Sequence, residues 1–175
     1  ETWSNKWGDK RWRIERHESW FRYVTDELLP NIKHNPQQMF ITTGCSMGGF
    51  HAANFFFRRP DLFNGMLAMS GLYHAAYGFD GYMDDLVYAN SPQDFLQQMP
   101  ADHPWMQAYR HSKIIFCVGQ GRWEDDLLWS TREMDRILKE KGVYNAWFDY
   151  WGHDVDHDWP FWRQQLPYFA DKLLG

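Results

Sequence analysis

The stretch that decides the fold is Met39-Phe40-Ile41-Thr42-Thr43-Gly44-Cys45-Ser46-Met47-Gly48-Gly49-Phe50. Its first five residues, apolar or β-branched, read as a strand, and from Met47 the spacing reads as a helix that Pro60 closes. Between the two, Gly44-Cys45-Ser46-Met47-Gly48 fits G-x-S-x-G. In that context the pattern predicts a nucleophile elbow, a strained turn that lifts the serine hydroxyl above the sheet. Glycine is expected at 44 and 48 because side chains there would strike the neighbouring strand and helix. The helix beginning at Met47 aims its N–H groups and positive dipole end at the same point. The Met47 N–H is therefore a candidate donor to an oxyanion.

Working outward, strand and helix patterns alternate. Residues 11 to 29 read as a helix that Pro30 ends, and 39 to 43 as the first strand. A second strand is expected at 65 to 70, followed by a long Gly-, Tyr- and Asp-rich excursion over 71 to 90. Ser91-Pro92 reads as a helix start with serine as the cap. Lys113 to Val118 reads as a third strand, 126 to 141 as a helix, 144 to 151 as a fourth strand, and 160 to 174 as a last helix in which Pro167 predicts a kink or break. That order predicts an α/β fold of three layers, a mainly parallel sheet between helices, over one domain at 1–175. Ligands of such sheets sit beyond the carboxyl ends of the strands, so the segments after 43, 70, 118 and 151 hold the candidate site.

Composition narrows the function classes. The chain has 175 residues, a net charge of −5 and 19% aromatic residues, which suits a dense core and an aromatic pocket. With no block of like charge, nucleic acid and anionic membrane are poor partners, and a small-molecule ligand is expected. No apolar run is long enough to span a bilayer. The opening residues lack a signal-peptide pattern, and Cys45 and Cys117 fall in apolar strand-like runs as buried free thiols, so a cytoplasmic location is expected.

A serine hydroxyl needs a base, and the base needs an orienting acid. Both are available in order after the later strands: Gly119-Gln120-Gly121-Arg122-Trp123-Glu124-Asp125-Asp126, then Gly152-His153-Asp154-Val155-Asp156-His157-Asp158-Trp159. With "RRPDLF" at 58 to 63, "SGLY" at 70 to 73 and "HDWPFWRQQLPYF" at 157 to 169, the chain resembles the esterase D-like branch of the α/β-hydrolases over essentially its whole length. That branch includes feruloyl and acetylxylan esterases, S-formylglutathione hydrolases and mycolyltransferases. The resemblance implies a serine carboxylesterase with no cofactor or metal. It places the base on His157, ahead of Asp158-Trp159, with His153 the alternative. It places the acid on Asp125 first, with Glu124 and Asp126 as alternatives. It also implies several strands before the serine strand and a second oxyanion donor from a loop among them, whereas only 45 residues precede Ser46 here. "ETWSNK" at 1 to 6 resembles the loop that leaves the last of those strands. An exposed strand edge is then expected, and with it a homo-oligomer or association with the missing N-terminal part.

Two rival readings stand beside the esterase. The first is a binding or interaction module that keeps the fold without the chemistry. The second is a metal-dependent hydrolase using His153-Asp154-Val155-Asp156-His157, which on a helix would imitate H-E-x-x-H. Gly152 and Pro160 put those histidines on a loop, and no third ligand is evident. In the excursion, His74, Asp80, Asp84 and Asp85 are expected in a pocket wall or solvated loop. Tyr73, Tyr77, Phe79 and Tyr82 are expected as pocket lining or core.

Overall fold

The computed structural model describes residues 8–175; the "ETWSNK" segment lies outside them. Four strands, β1 (Phe40–Cys45), β2 (Phe63–Met69), β3 (Lys113–Val118) and β4 (Trp147–Tyr150), form one sheet in the order β1-β2-β3-β4. Every pairing is parallel. All four carboxyl ends therefore open on one edge. Because alternate residues of a strand face opposite sides, the sheet builds two cores. Met66, Ala68, Ile114 and Phe116 face one way, Leu67, Met69, Ile115 and Cys117 the other. Strands buried on both faces read as continuous apolar runs, as KIIFCV does.

The first core is covered by α3 (Met47–Arg58) and α7 (Asp125–Glu140), with support from α1 (Lys10–Arg22), α2 (Leu29–Ile32), α5 (Pro92–Gln98) and α6 (Pro104–Arg110). A short α4 (Asp85–Ala89) lies within the excursion. In the first core Phe116 of β3 is stacked on Phe148 at 4.6 Å and met edge-on by Tyr73 at 5.0 Å. The second core is covered by α8 (Trp159–Leu174), through Trp162, Phe169 and Leu173. Tyr73 and Phe79 are thus core residues, whereas Tyr77 is exposed. Among the described residues no helix is long and apolar enough to cross a membrane. Cys45 and Cys117 are free, and β2 runs between their strands, which separates the backbones by about 9.6 Å, too far for a disulfide.

Several expectations about the elements need correction. Pro30 does not end the first helix: the chain widens into a π-helical segment, Tyr23–Leu28, and carries Pro30 in the turn that follows. Of the kink or break expected at Pro167, the break does not occur: α8 is continuous through it. Ser91 does not cap α5 with its side chain; its hydroxyl accepts the Ala75 N–H at 2.8 Å instead. Arg58, at the end of α3 where its charge suits the helix dipole, is also tied to side chains. It bonds Glu18 at 2.9 Å and Asn90 at 2.6 Å, and lies over the Phe21 ring. Asn90 closes the loop by donating to Glu18, so this buried cluster fastens the end of the excursion to α1 and α3.

Candidate active site

At the open edge, β1 hands over to α3 through Ser46, whose backbone is held at φ 55°, ψ −122°. Few non-glycine residues accept a positive φ, and the surroundings must enforce it. Here the Ser46 N–H donates to Met69 O at 2.9 Å and the Phe50 N–H to Ser46 O at 3.2 Å. Gly44 lets the turn close: a Cβ there would lie 2.4 Å from the Gly48 carbonyl. Gly48 itself meets open space, contrary to the expectation of a clash. The close approach falls one residue later, at Gly49, where a Cβ would sit 2.7 Å from Met69 O.

Two loops bring the partners. Loop 119–124 follows β3 and loop 151–158 follows β4, and they are stitched together. Gly121 N–H donates to Val155 O at 2.9 Å, Arg122 N–H to Asp156 at 2.8 Å, and His157 N–H to Arg122 O at 3.0 Å. Gly121 is needed for that approach, since a Cβ would come 2.7 Å from Val155 O. The Arg122 guanidinium beside Asp156 holds that carboxyl below the usual carboxylate range, with the Arg122 backbone N–H as the larger cause.

The result places His157 Nε2 2.8 Å from Ser46 Oγ. On the other side of the ring, His157 Nδ1 lies 3.4 Å from Glu124 Oε2. Glu124 is 1% exposed, and its other oxygen accepts a hydrogen bond from Ser70 Oγ at 2.6 Å. Ser70 in turn accepts from the Trp162 indole at 3.3 Å, and Trp162 meets the His157 ring edge-on at 4.9 Å. Among the described residues, neither Glu124 Oε2 nor His157 Nδ1 has a hydrogen-bond partner beyond this facing contact. A carboxylate can only accept, so this pairing favours hydrogen on Nδ1 and leaves Nε2 to take the Ser46 proton.

Of the three candidate acids, the structure therefore brings Glu124 to His157, not Asp125. Trp123 turns at φ 68°, and Glu124, next in the chain, is buried against Ser70 and His157. Asp125 and Asp126 then begin α7 as exposed residues lining the pocket mouth. His153 faces Gln120 O at 3.2 Å and is not brought to Ser46. Asp84 caps α4 and binds Arg11. The sequence reading overlooked Ser70 and Trp162 as neighbours of the acid; the signal was present in the first residue of "SGLY" and in the tryptophan-rich start of α8. It also overlooked the pairing of His74 with Asp94 at 2.8 Å. Among the described residues, no group of three or more His, Cys, Asp or Glu side chains is placed to hold a metal ion.

Ser46 and His157 open into a cavity of about 690 Å³ walled by Phe50, Leu72, Tyr77, Trp123 and Leu127. A hydroxyl bonded to an imidazole beside an apolar cavity, at the start of a helix, can attack an electrophilic carbon.

The same fold occurs in solved structures. A ferulic acid esterase is 22% identical, with a TM-score of 0.64 over 88% of this chain and 61% of its own. An S-formylglutathione hydrolase from Staphylococcus aureus is 15% identical, with a TM-score of 0.65 over 93% and 64%. MPT51 of Mycobacterium tuberculosis is 17% identical, with a TM-score of 0.65 over 89% and 68%. These likenesses show a shared α/β-hydrolase fold, and the chain spans less than two thirds of the first two. A comparison with curated proteins gives no match. The family described as "Putative esterase" matches residues 9–172, a span that holds Ser46, Glu124 and His157 together, and the chain belongs to that family.

Proposed function

We propose that this domain hydrolyses carboxylic esters through an acyl-enzyme, with Ser46 as nucleophile, His157 as general base and acid, and Glu124 as the orienting acid. The observation that carries the reading is the 2.8 Å contact between His157 Nε2 and a serine held at positive φ ahead of a helix. As Ser46 Oγ attacks the carbonyl, its proton passes to His157 Nε2. The imidazolium is then stabilised by the Glu124 carboxylate across the 3.4 Å gap, a distance that charge on the ring would shorten. The negative oxygen of the tetrahedral intermediate is offered the backbone N–H of Met47, at the first position of α3. His157 returns its proton to the departing alcohol. A water then attacks the acyl group by the same route in reverse. Family membership and the likeness to esterases and hydrolases support the same chemistry.

The test is hydrolysis of a short para-nitrophenyl ester. The wild-type chain is expected to turn it over and Ser46→Ala to lose that turnover. Retention of activity by Ser46→Ala, together with its loss on chelation, would instead favour a metal-dependent hydrolase.

A further inference from the structure

We propose that the cavity selects a neutral ester carrying a hydroxyl group remote from its carbonyl, and that His74 is the residue that recognises this hydroxyl. The inference rests on the esterase reading and deepens it. His74 lines the cavity from the segment after β2 and is one-third exposed, so its ring is not a piece of the core. Its Nδ1 lies 2.8 Å from Asp94, whose carboxylate can only accept. A hydrogen on Nδ1 satisfies that contact, and Nε2 is the ring nitrogen left to face a ligand hydroxyl. Among the described residues nothing bonds that nitrogen.

The orientation of the ring is built in from both sides. Asp94 also accepts from the Ser91 hydroxyl, and that hydroxyl accepts the N–H of Ala75 at 2.8 Å. Just before His74, the Tyr73 N–H donates to Ser130 Oγ at 2.8 Å and Tyr73 O accepts from Gln93 N–H at 3.0 Å. Held at 73 and 75, the histidine keeps its direction, which is what recognition of a single group requires.

The rest of the lining has the same polarity. Asp125 and Asp126 are acceptors, and the Tyr77 hydroxyl donates to Asp126 at 3.0 Å, which leaves its oxygen lone pairs for a ligand. Apart from Ser46 and His157, the Trp123 indole is, among the described residues, the one side-chain donor in the lining that is not already turned to a carboxylate, and no Lys or Arg contributes to the lining. A ligand carboxylate or phosphate would meet two like charges and no cation. A hydroxyl would meet acceptors. The volume suits a ligand well beyond acetate in size.

The experiment compares three para-nitrophenyl phenylpropanoates whose ring carries, opposite the chain, an ethyl, a hydroxymethyl or a carboxylate group. The wild-type chain should favour hydroxymethyl over ethyl in kcat/KM by roughly three- to tenfold, the size of one net hydrogen bond. The carboxylate ester should be the slowest. In His74→Phe the hydroxymethyl-to-ethyl ratio should fall to about one; a merely structural defect would slow both esters and leave the ratio alone. Asp94→Asn, which releases the tautomer, should lower the ratio as well. A wild-type ratio near one, a ratio that survives His74→Phe, or a carboxylate ester that is fastest overturns the proposal while leaving the esterase reading intact. No turnover of any of the three, with a fluorophosphonate failing to label Ser46, overturns both.

Discussion

Replacing Glu124 by glutamine separates the acid that the geometry selects from the one beside it in sequence. The carboxylate is buried and the imidazole mostly so, and the two lie 3.4 Å apart. At an effective dielectric of about 20, an imidazolium and a carboxylate at that distance attract by about 5 kcal/mol. At 1.36 kcal/mol per factor of ten, losing the charge should lower kcat by roughly three to four orders of magnitude. The amide adds a second defect. It can still accept from Ser70 through its oxygen, but it then offers an N–H to His157 Nδ1. That favours the tautomer whose Nε2 carries the hydrogen and cannot receive the Ser46 proton. Asp125 is exposed, and an exposed charge is worth only about 0–1 kcal/mol, so Asp125→Asn should cost less than about tenfold. Steady-state hydrolysis of a para-nitrophenyl ester by the two variants, each checked for folding by circular dichroism, decides the matter. A fall of under tenfold in Glu124→Gln, with the large loss in Asp125→Asn, would refute the reasoning.

Other predictions concern the scaffold. Gly44→Ala should destabilise by more than about 3 kcal/mol, because backbone blocks the new Cβ, whereas Gly48→Ala should gain up to about 1 kcal/mol of helix propensity in open space; thermal melts of the two should move in opposite directions. His17 and His51 stack at 5.1 Å, and burial holds them well below an ordinary imidazole, at about 3 and about 4. Unfolded, both would titrate near 6.5, so the unfolded chain binds more protons in between and stability falls as pH drops from about 6.5 towards 4. From pH 7.5 to pH 5 each should cost roughly 2 kcal/mol, which urea titrations at the two pH values would detect; equal stability at both would contradict the burial argument. Among the described strands β1 pairs on one side only, and we propose that its open edge pairs with a strand of another copy or of a longer form of this protein. Light scattering should then report a mass above 21.1 kDa for this chain, and a clean monomer would count against pairing between copies.

Much of the layout was legible because the signals were local. A strand, a glycine-flanked serine and a helix follow one another without interruption, and β3 declares itself as a run of β-branched, aromatic and thiol side chains. Gly152 and Pro160 fix a loop between a strand and a helix but put His153 and His157 in it alike; the resemblance carried by His157-Asp158-Trp159 is what separated them. The acid was less legible because three carboxylates stand side by side and only the folded turn separates the buried one from the exposed two. With Trp123 at φ 68°, the buried direction falls to Glu124 and the exposed one to Asp125, and composition carries no mark of that turn. Ser70 and the pairing of His74 were missed for a related reason: their partners Glu124 and Asp94 lie 54 and 20 residues away and meet them only in the folded chain. Pro30 misled because local propensity was outweighed by a wider helical turn.

The central claim is that the strained serine is an activated nucleophile, and covalent labelling tests it most directly. Intact-mass and peptide mass spectrometry after treatment with a fluorophosphonate should find one adduct per chain, on Ser46, formed far more slowly in His157→Ala. An unmodified Ser46 in folded wild-type protein, or an adduct whose rate ignores the loss of His157, would contradict the account.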